Sequence, residues 1–294
     1  MLFRSNIAGY KIRFENTLDK TDIIPSQRFS KYISTENKYD FLIKIQSGKI
    51  NLPENAVKVF DAPYVEEIGN TRVKKSDDFW SVFQYLDDLF ISVTFPGQDE
   101  EKSALLKFSL HKREWDLLIY NPGRSFDPME YPLDGLILYY LTVIKGDIMI
   151  HASGVSYEGK GYIFSGISGK GKTTMAGLWD NKGARIIHDD RLIIRKTDSG
   201  YSMYNTPVYR NDQSRESRID SIFLIDHGTE NSILPLKGAA AITLLISNCI
   251  QHNWSEVIIK KMLSSAVKIC TSVPVYNLRF RPDKAIIDYI LQHE

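Results

Sequence analysis

Nine consecutive residues have the types and the spacing of a loop that binds phosphate. The stretch, which we call the glycine loop, consists of Gly166, Ile167, Ser168, Gly169, Lys170, Gly171, Lys172, Thr173 and Thr174. A Gly, four further residues and a second Gly come before Lys and Thr, which is the Walker A pattern. The spacing therefore predicts that these residues bind the phosphates of a nucleotide.

The residue types explain how such a loop holds an anion. Glycine lacks a Cβ atom, so the backbone can curl and turn its N–H groups inward. A helix after the loop adds the positive end of its dipole. We expect Lys172 to place its charge on the β- and γ-phosphates and the Thr173 hydroxyl to bind Mg²⁺. The alternative is a glycine-rich turn that matches the pattern by chance.

The flanking residues predict the elements that this loop requires. Residues 161–165 form a short apolar stretch typical of a strand, and residues 174–179 have the composition of a helix start. A hairpin turn at residues 158–161 connects this strand to an earlier one that begins at residue 148. Strand, loop and helix in this order are the context in which the motif binds nucleotides.

Two adjacent carboxylates and one histidine complete the candidate site. Asp189 and Asp190 follow a predicted strand at residues 184–187, so we expect both side chains near Thr173. Phosphoryl transfer needs a carboxylate for the metal, and a kinase also needs a group that positions or deprotonates the acceptor hydroxyl. The alternative is a polar turn that closes a hairpin. His151 ends another apolar strand and is a third candidate, with structural hydrogen bonding as its alternative role.

The bulk composition suits one large domain or two medium ones. The chain has 294 residues, of which 43% are hydrophobic and 25% charged. A formal net charge of +1 gives no electrostatic argument for a nucleic acid or a membrane as partner. Cys249 and Cys270 are predicted to be free thiols, because they are too few for a disulfide framework. Without a signal peptide or a membrane-length apolar run, we expect a cytoplasmic protein.

The first part of the chain is predicted to be β-rich. We expect an N-terminal region at residues 1–120, which either recruits a substrate or only packs, and a catalytic domain at residues 121–294. A buried helix at residues 133–144 is expected to pack on the nucleotide-binding sheet. Strand candidates in the N-terminal region are residues 7–14, 39–45, 79–85, 89–95 (closing at Pro96 and Gly97), 105–110 and 115–120.

The chain after the acid pair alternates between strands and helices. A polar stretch at residues 211–218 has no periodicity and is predicted to be a mobile loop. Arg210, Arg215 and Arg218 are expected either to reach phosphate or an acidic substrate, or to be solvated. Predicted strands lie at residues 192–195, 201–204, 221–226 and 273–278, and predicted helices at residues 237–250, 255–267 and 283–291.

These motifs together resemble one known kinase family. His151 followed by a Gly, the run G-Y-I-F-S-G, the glycine loop and the later G-A-R-I-I-H-D-D-R are similar to the catalytic domain of HPr kinase/phosphorylase. They look more closely like the HPr-kinase-related kinases found with peptide-modification systems. The resemblance covers residues 148–195 firmly and the rest of the C-terminal half loosely. The loop also resembles that of ATP-dependent phosphoenolpyruvate carboxykinase, whose fold the HPr kinase domain shares.

The resemblance implies an α/β (α+β) fold and a set of roles. The fold would be a P-loop kinase domain of the HPr kinase/phosphoenolpyruvate carboxykinase-like type, with a β-rich N-terminal region. ATP and Mg²⁺ would be the cofactors, with Thr173 and Asp190 serving the metal. Asp189 would be the base that faces the acceptor hydroxyl, with His151 beside it and Lys172 on the transferred group. The two carboxylates can also exchange these roles.

The expected activity is transfer of the γ-phosphoryl group to a hydroxyl. The acceptor is expected to be a serine of a protein or peptide, or a small hydroxylated molecule. A nucleotide-binding regulatory or adaptor protein, and an NTPase whose acceptor is water, are the alternatives. The second signature stretch of the HPr kinases is not found, so HPr as substrate, the phosphorylase activity and the family's hexamer are not carried over. A homo-oligomer and the choice between ATP and GTP stay open.

Overall fold

The computed structural model describes residues 2–17, 21–68, 71–95 and 102–293. The chain has a mixed α/β architecture and divides into two compact units, Met1–Tyr140 and Leu141–Glu294. The predicted boundary near residue 120 lies before this division. Residues just after it belong to the first unit because they bond to its earlier segments; the Thr21 hydroxyl, for example, donates to the Gly123 carbonyl at 2.9 Å.

The first unit is built mainly from strands. Its larger sheet has the order β1-β2-β4-β9-β8-β7-β6-β5, and β3 and β10 form a separate parallel pair. A short 3₁₀ helix, Gln27–Tyr32, follows β3. The strands are β1 (Leu2–Ile7), β2 (Tyr10–Asn16), β3 (Asp22–Ile23), β4 (Phe41–Ser47), β5 (Val57–Ile68), β6 (Thr71–Tyr85), β7 (Asp88–Thr94), β8 (Ser103–Phe108), β9 (Glu114–Tyr120) and β10 (Ser125–Phe126).

Alternation of apolar residues explains why these segments form strands. In β9 the buried residues are Trp115, Leu117 and Ile119, with more exposed residues between them, as expected when successive side chains point to opposite faces. The single strand predicted at residues 7–14 is instead a hairpin, because Ala8 and Gly9 form a turn with φ of 52° and 77°. The predicted stop at Pro96 and Gly97 lies outside the described residues.

The second unit carries the candidate site on one mixed sheet. Its strands follow the order β16-β15-β14-β11-β12-β17-β19-β18, and β13 also pairs with β11. The helix α1 (Leu133–Lys145) crosses the division between the units. The strands are β11 (Ile148–Tyr157), β12 (Lys160–Ser165), β13 (Arg185–His188), β14 (Arg191–Thr197), β15 (Gly200–Asn205), β16 (Glu216–Arg218), β17 (Ser221–His227), β18 (Ser232–Leu236) and β19 (Val275–Phe280). The remaining helices are α2 (Lys172–Asn181), α3 (Gly238–Ser247), α4 (Glu256–Ser272) and α5 (Ala285–His293).

Aromatic packing fixes both ends of the glycine loop. Trp179 of α2 is fully buried and stacks on Tyr162 of β12, with ring centroids 5.2 Å apart. Phe164 of β12 stacks on Phe223 of β17 at 5.3 Å. Full burial of such side chains stabilises the fold by about 1.5–3 kcal/mol each. The strand before the loop and the helix after it are therefore held in one hydrophobic cluster.

Three further predictions about elements differ from the structure. The segment at residues 211–218 is not a loop throughout, because it ends in β16, which pairs with β15. Its earlier part is closed by Asn205, whose side chain donates to the Gln213 carbonyl at 3.0 Å and accepts from the Arg215 amide at 2.8 Å. The strand β18 was not predicted, because it contains Pro235, which lacks an N–H and is tolerated at a sheet edge.

The third difference concerns α1. The helix was expected to pack on the nucleotide-binding sheet, but its first part packs within the first unit. There Tyr140 contacts Phe108, with ring centroids 4.5 Å apart, and Asp134 pairs with Arg28 at 3.0 Å. None of the helices within the described ranges is both long and apolar enough to cross a membrane.

Candidate functional site

The glycine loop connects the end of β12 to the start of α2. Gly169 and Gly171 have φ of 82° and 90°, a left-handed conformation that favours glycine. A Cβ atom on Gly171 would lie 2.8 Å from Cζ of Phe280, whereas Gly169 faces open space. Ser168 and the first helical threonine, Thr173, are exposed. The backbone therefore curves around an accessible space at the N-terminus of a helix.

Lys172 is folded back onto the loop. Its ammonium donates to the Gly166 carbonyl at 2.7 Å and to the Ile167 carbonyl at 3.2 Å. Burial lowers the pKa of Lys172, and the nearby Asp190 carboxylate acts in the opposite direction. The charge of Asp190 thus favours the protonated form of Lys172.

A second ion pair borders the loop and was not predicted from the sequence. The Lys170 ammonium donates to the Asp226 carboxylate at 2.7 Å, at the end of β17. This hydrogen bond is the main reason why the pKa of Asp226 is lowered, with partial burial acting against it. Nε2 of His227 lies 2.9 Å from the Gly169 carbonyl oxygen. The carboxyl end of β17 therefore contacts two positions of the loop.

The acid pair lies where one strand ends and the next begins. One edge of β11 pairs with β14 along its first half and with β13 along its second half. Asp189 and Asp190 connect these two strands, and the Asp190 carbonyl accepts from the Ala152 amide at 3.1 Å. Both side chains are half-buried. The sheet thus continues past the acid pair while its carboxylates remain accessible.

His151 belongs to the same cluster. Its Nδ1 lies 4.0 Å from Oδ1 of Asp190, and both side chains are about half exposed. Its carbonyl accepts from the Ser165 hydroxyl at 2.7 Å, which ties it to the residue just before the glycine loop. Ser153 donates to the Lys172 carbonyl at 2.6 Å. The structure therefore brings His151 and the acid pair to the same end of β12 as the loop.

A buried histidine, His188, bonds to the backbone of the acid pair, and the sequence did not predict this role. Nδ1 of His188 accepts from the backbone amides of Asp190 and Arg191 at 3.1 and 3.2 Å. Its Nε2 lies 3.4 Å from Oδ2 of Asp212, which also accepts from the Tyr209 amide at 2.6 Å. Burial acts to raise the pKa of Asp212, but these hydrogen bonds hold that pKa below its usual value. The only signal for His188 in the sequence is its position next to Asp189.

Tyr209 covers this histidine and reaches the acid pair. Its ring stacks on His188 with centroids 5.3 Å apart, and 49% of the residue is exposed. Partial burial, the charges of Asp189 and Asp190, and a hydrogen bond to Asp189 raise the pKa of Tyr209 to about 12. The phenol therefore stays protonated at neutral pH.

The oxygen donors present suit magnesium. Mg²⁺ is usually held by one or two carboxylates together with substrate phosphates and water. The Asp190 carboxylate and the Thr173 hydroxyl are hard oxygen donors of that kind. No group of three or more His, Cys, Asp or Glu side chains that could hold a metal occurs in the part of the chain that the structure describes.

A pocket of about 280 Å³ lies beside the glycine loop. It is lined by Gly166 and Ile167 of the loop, by Asp226 at the end of β17 and by Asn277 of β19. Pockets at the carboxyl ends of parallel strands are common ligand sites in α/β sheets. The second unit therefore has room for a small group next to the loop.

The fold and the site define a mixed α/β protein in which a glycine loop, a lysine and an acid pair share one end of a sheet. The chain belongs to the ScmC family, described as SynChlorMet cassette protein ScmC, which it matches over residues 133–284. No curated protein matches the chain. The solved structure of the Hpr(Ser) kinase/phosphatase from Coxiella burnetii is similar, with 8% sequence identity and a TM-score of 0.31. That match covers 49% of this chain and 94% of the other.

Proposed function

We propose that this protein is an ATP- and Mg²⁺-dependent kinase that transfers the γ-phosphoryl group to a hydroxyl. The acceptor we favour is a serine of a protein or peptide. The proposal is carried by one observation: Nδ1 of His151 lies 4.0 Å from Oδ1 of Asp190, and the His151 carbonyl accepts from Ser165, the residue just before the glycine loop. A phosphate bound by the loop would therefore lie next to a pair of carboxylates.

Each residue of the site has a separate task in this reaction. The amides of the glycine loop and the N-terminus of α2 hold the phosphates. The Lys172 ammonium leaves its two loop carbonyls and stabilises the charge that develops on the transferred group. Asp189 takes the proton of the acceptor hydroxyl, and Asp190 and Thr173 provide the oxygen donors for the metal. Magnesium, when bound, neutralises charge on the β- and γ-phosphates.

Asp189 is assigned as the base because the other carboxylate of the pair, Asp190, already faces His151. The Asp189 side chain is half-buried, so an acceptor hydroxyl can reach it. His151 lies on the side of Asp190 and is placed to orient that carboxylate. A nucleotide sensor has less need for such a base than a kinase has.

The test follows the γ-phosphate of labelled ATP in the presence of Mg²⁺. Wild type, Asp189→Asn and Asp198→Asn are compared with serine-containing peptides and with free serine as acceptors. Asp198 is an exposed carboxylate in the turn between β14 and β15, so its variant is a matched control. We expect label on an acceptor, lost by about 10²-fold or more in Asp189→Asn and kept in Asp198→Asn.

Other outcomes would identify other functions. Release of free phosphate alone, with every acceptor tried, would indicate an NTPase. Tight nucleotide binding without turnover would indicate a regulatory or adaptor protein. Equal activity of Asp189→Asn and wild type would show that the base is wrongly assigned.

A further inference from the structure

We infer that His188 is a positioning residue, which holds the backbone of the acid pair in place through its Nδ1 atom. The inference deepens the proposed kinase function and rests on it. It assigns a role to a buried polar group that touches neither nucleotide nor acceptor.

The hydrogen bonds define the protonation of the ring. Two backbone N–H groups, those of Asp190 and Arg191, point at Nδ1 of His188 at 3.1 and 3.2 Å. Both are donors, so Nδ1 must present its lone pair, and the proton of the neutral ring resides on Nε2. Nε2 then donates to the Asp212 carboxylate at 3.4 Å. The ring thus accepts at one end and donates at the other.

These hydrogen bonds lie at the place in the sheet where Asp189 and Asp190 are found. His188 pairs with Gly154 on β11, and Arg191 pairs with His151, so the sheet register is interrupted between them. Asp189 and Asp190 occupy this interruption. The Asp190 amide that bonds to His188 belongs to the peptide group that joins the two acids. Its position therefore sets the direction of both carboxylates.

Asp212 holds the His188 ring at its Nε2 end. The side chains of His188 and Asp212 are only 1% and 6% exposed. Oδ2 of Asp212 also accepts from the Val208 and Tyr209 amides at 2.9 and 2.6 Å, so it cannot easily move. A continuous series of hydrogen bonds therefore connects the backbone of residues 208–212, through Asp212 and His188, to the acid pair. A displacement of about 1 Å at a reacting group can lower a rate by about 10²-fold.

Two variants separate positioning from simple packing. In His188→Asn, the amide oxygen can take the place of Nδ1 and accept from the two backbone amides. In His188→Gln, the longer side chain can reach Asp212 in place of Nε2, but it offers no acceptor near the amides. Both variants remove the buried ring, so a purely structural role predicts similar losses in the two.

We expect His188→Asn to keep kcat within about 10-fold of wild type and His188→Gln to lose about 10²-fold. The dissociation constant of ATP should be unchanged in both, because the glycine loop is held by other contacts. Equal kcat losses in the two variants, or losses that follow only their melting temperatures, would overturn the inference.

Hydrogen exchange of the full-length protein distinguishes this inference from the proposed function. The Asp190 and Arg191 amides should be protected in wild type and His188→Asn and should exchange faster in His188→Gln. If the wild type transfers no phosphate, the proposed function fails, and this exchange pattern still decides whether His188 holds the backbone. Equal protection in all three proteins would contradict the inference whatever the activity.

Discussion

In the proposed kinase, Lys172 is the residue on which phosphate binding and transfer depend most. Within the described residues, Lys172 is the loop residue whose ammonium donates to carbonyls of the loop itself, and replacement by Ala removes this cation. Loss of one such donor typically lowers a rate by about 10²–10³-fold. We therefore expect Lys172→Ala to lose nucleotide-dependent activity while its melting temperature stays close to that of the wild type.

A matched control lies just beyond the other end of the same helix. Lys182 lies just after α2 and pairs with Asp288 on the surface at 3.0 Å. Lys182→Ala should leave the ATP affinity and the activity unchanged, as measured by calorimetry and by phosphate transfer. Full activity in Lys172→Ala would show that the glycine loop is not the nucleotide site.

In the proposed kinase, the Tyr209 phenol would compete with an acceptor for the Asp189 carboxylate, because its pKa of about 12 keeps it protonated. Tyr209→Phe should lower the KM of a small acceptor several-fold and leave the ATP affinity unchanged. Steady-state kinetics with Tyr204→Phe as the control would check this, and a raised acceptor KM in Tyr209→Phe would refute it.

At the scale of the structural elements, the glycine loop requires glycine at positions 169 and 171 for two different reasons. Gly169→Ala places a Cβ in open space, so only the left-handed φ of 82° opposes it, at about 1 kcal/mol. Gly171→Ala adds a contact of 2.8 Å with the Phe280 ring, so we expect a loss of about 2–3 kcal/mol. Urea denaturation of the two variants measures this difference. Equal losses would mean that Phe280 moves away at little cost.

Local patterns predicted the elements of the site better than its contacts. The strand, the glycine loop, α2 and the strand before the acid pair follow from apolar runs, turns and one motif, all readable over a few residues. The partners of these elements do not, because Lys170 meets Asp226 and His188 meets Asp212 across long sequence separations. β16 and β18 were missed because one has three residues and the other contains a proline.

At the scale of the whole molecule, the buried residue His252 makes the free energy of unfolding depend on pH. Burial lowers the pKa of His252 to about 3, from an ordinary value of 6.5. The unfolded chain therefore binds a proton below pH 6.5 that the folded chain excludes until about pH 3. The free energy of unfolding should fall by up to about 1.4 kcal/mol per pH unit as the pH drops through this window.

Denaturation between pH 4.5 and pH 7.5 (about three pH units) tests this linkage. His252→Gln should flatten the dependence, whereas His111→Gln should not, because His111 is exposed. A steep dependence that survives in His252→Gln would place the responsible group elsewhere. His252 belongs to the unit Leu141–Glu294, and all the site contacts described above lie in this same unit.

The interruption between β13 and β14 has a consequence for how this family can diverge. Asp190 joins the sheet through its carbonyl, which bonds to Ala152, and the Asp189 and Asp190 side chains remain outside the hydrophobic cluster. Substitutions at these two positions therefore remove no side chain from that cluster. If the proposed kinase function is right, a relative can lose its activity by a single step at these positions and still fold, so an inactive relative need not be an unstable one.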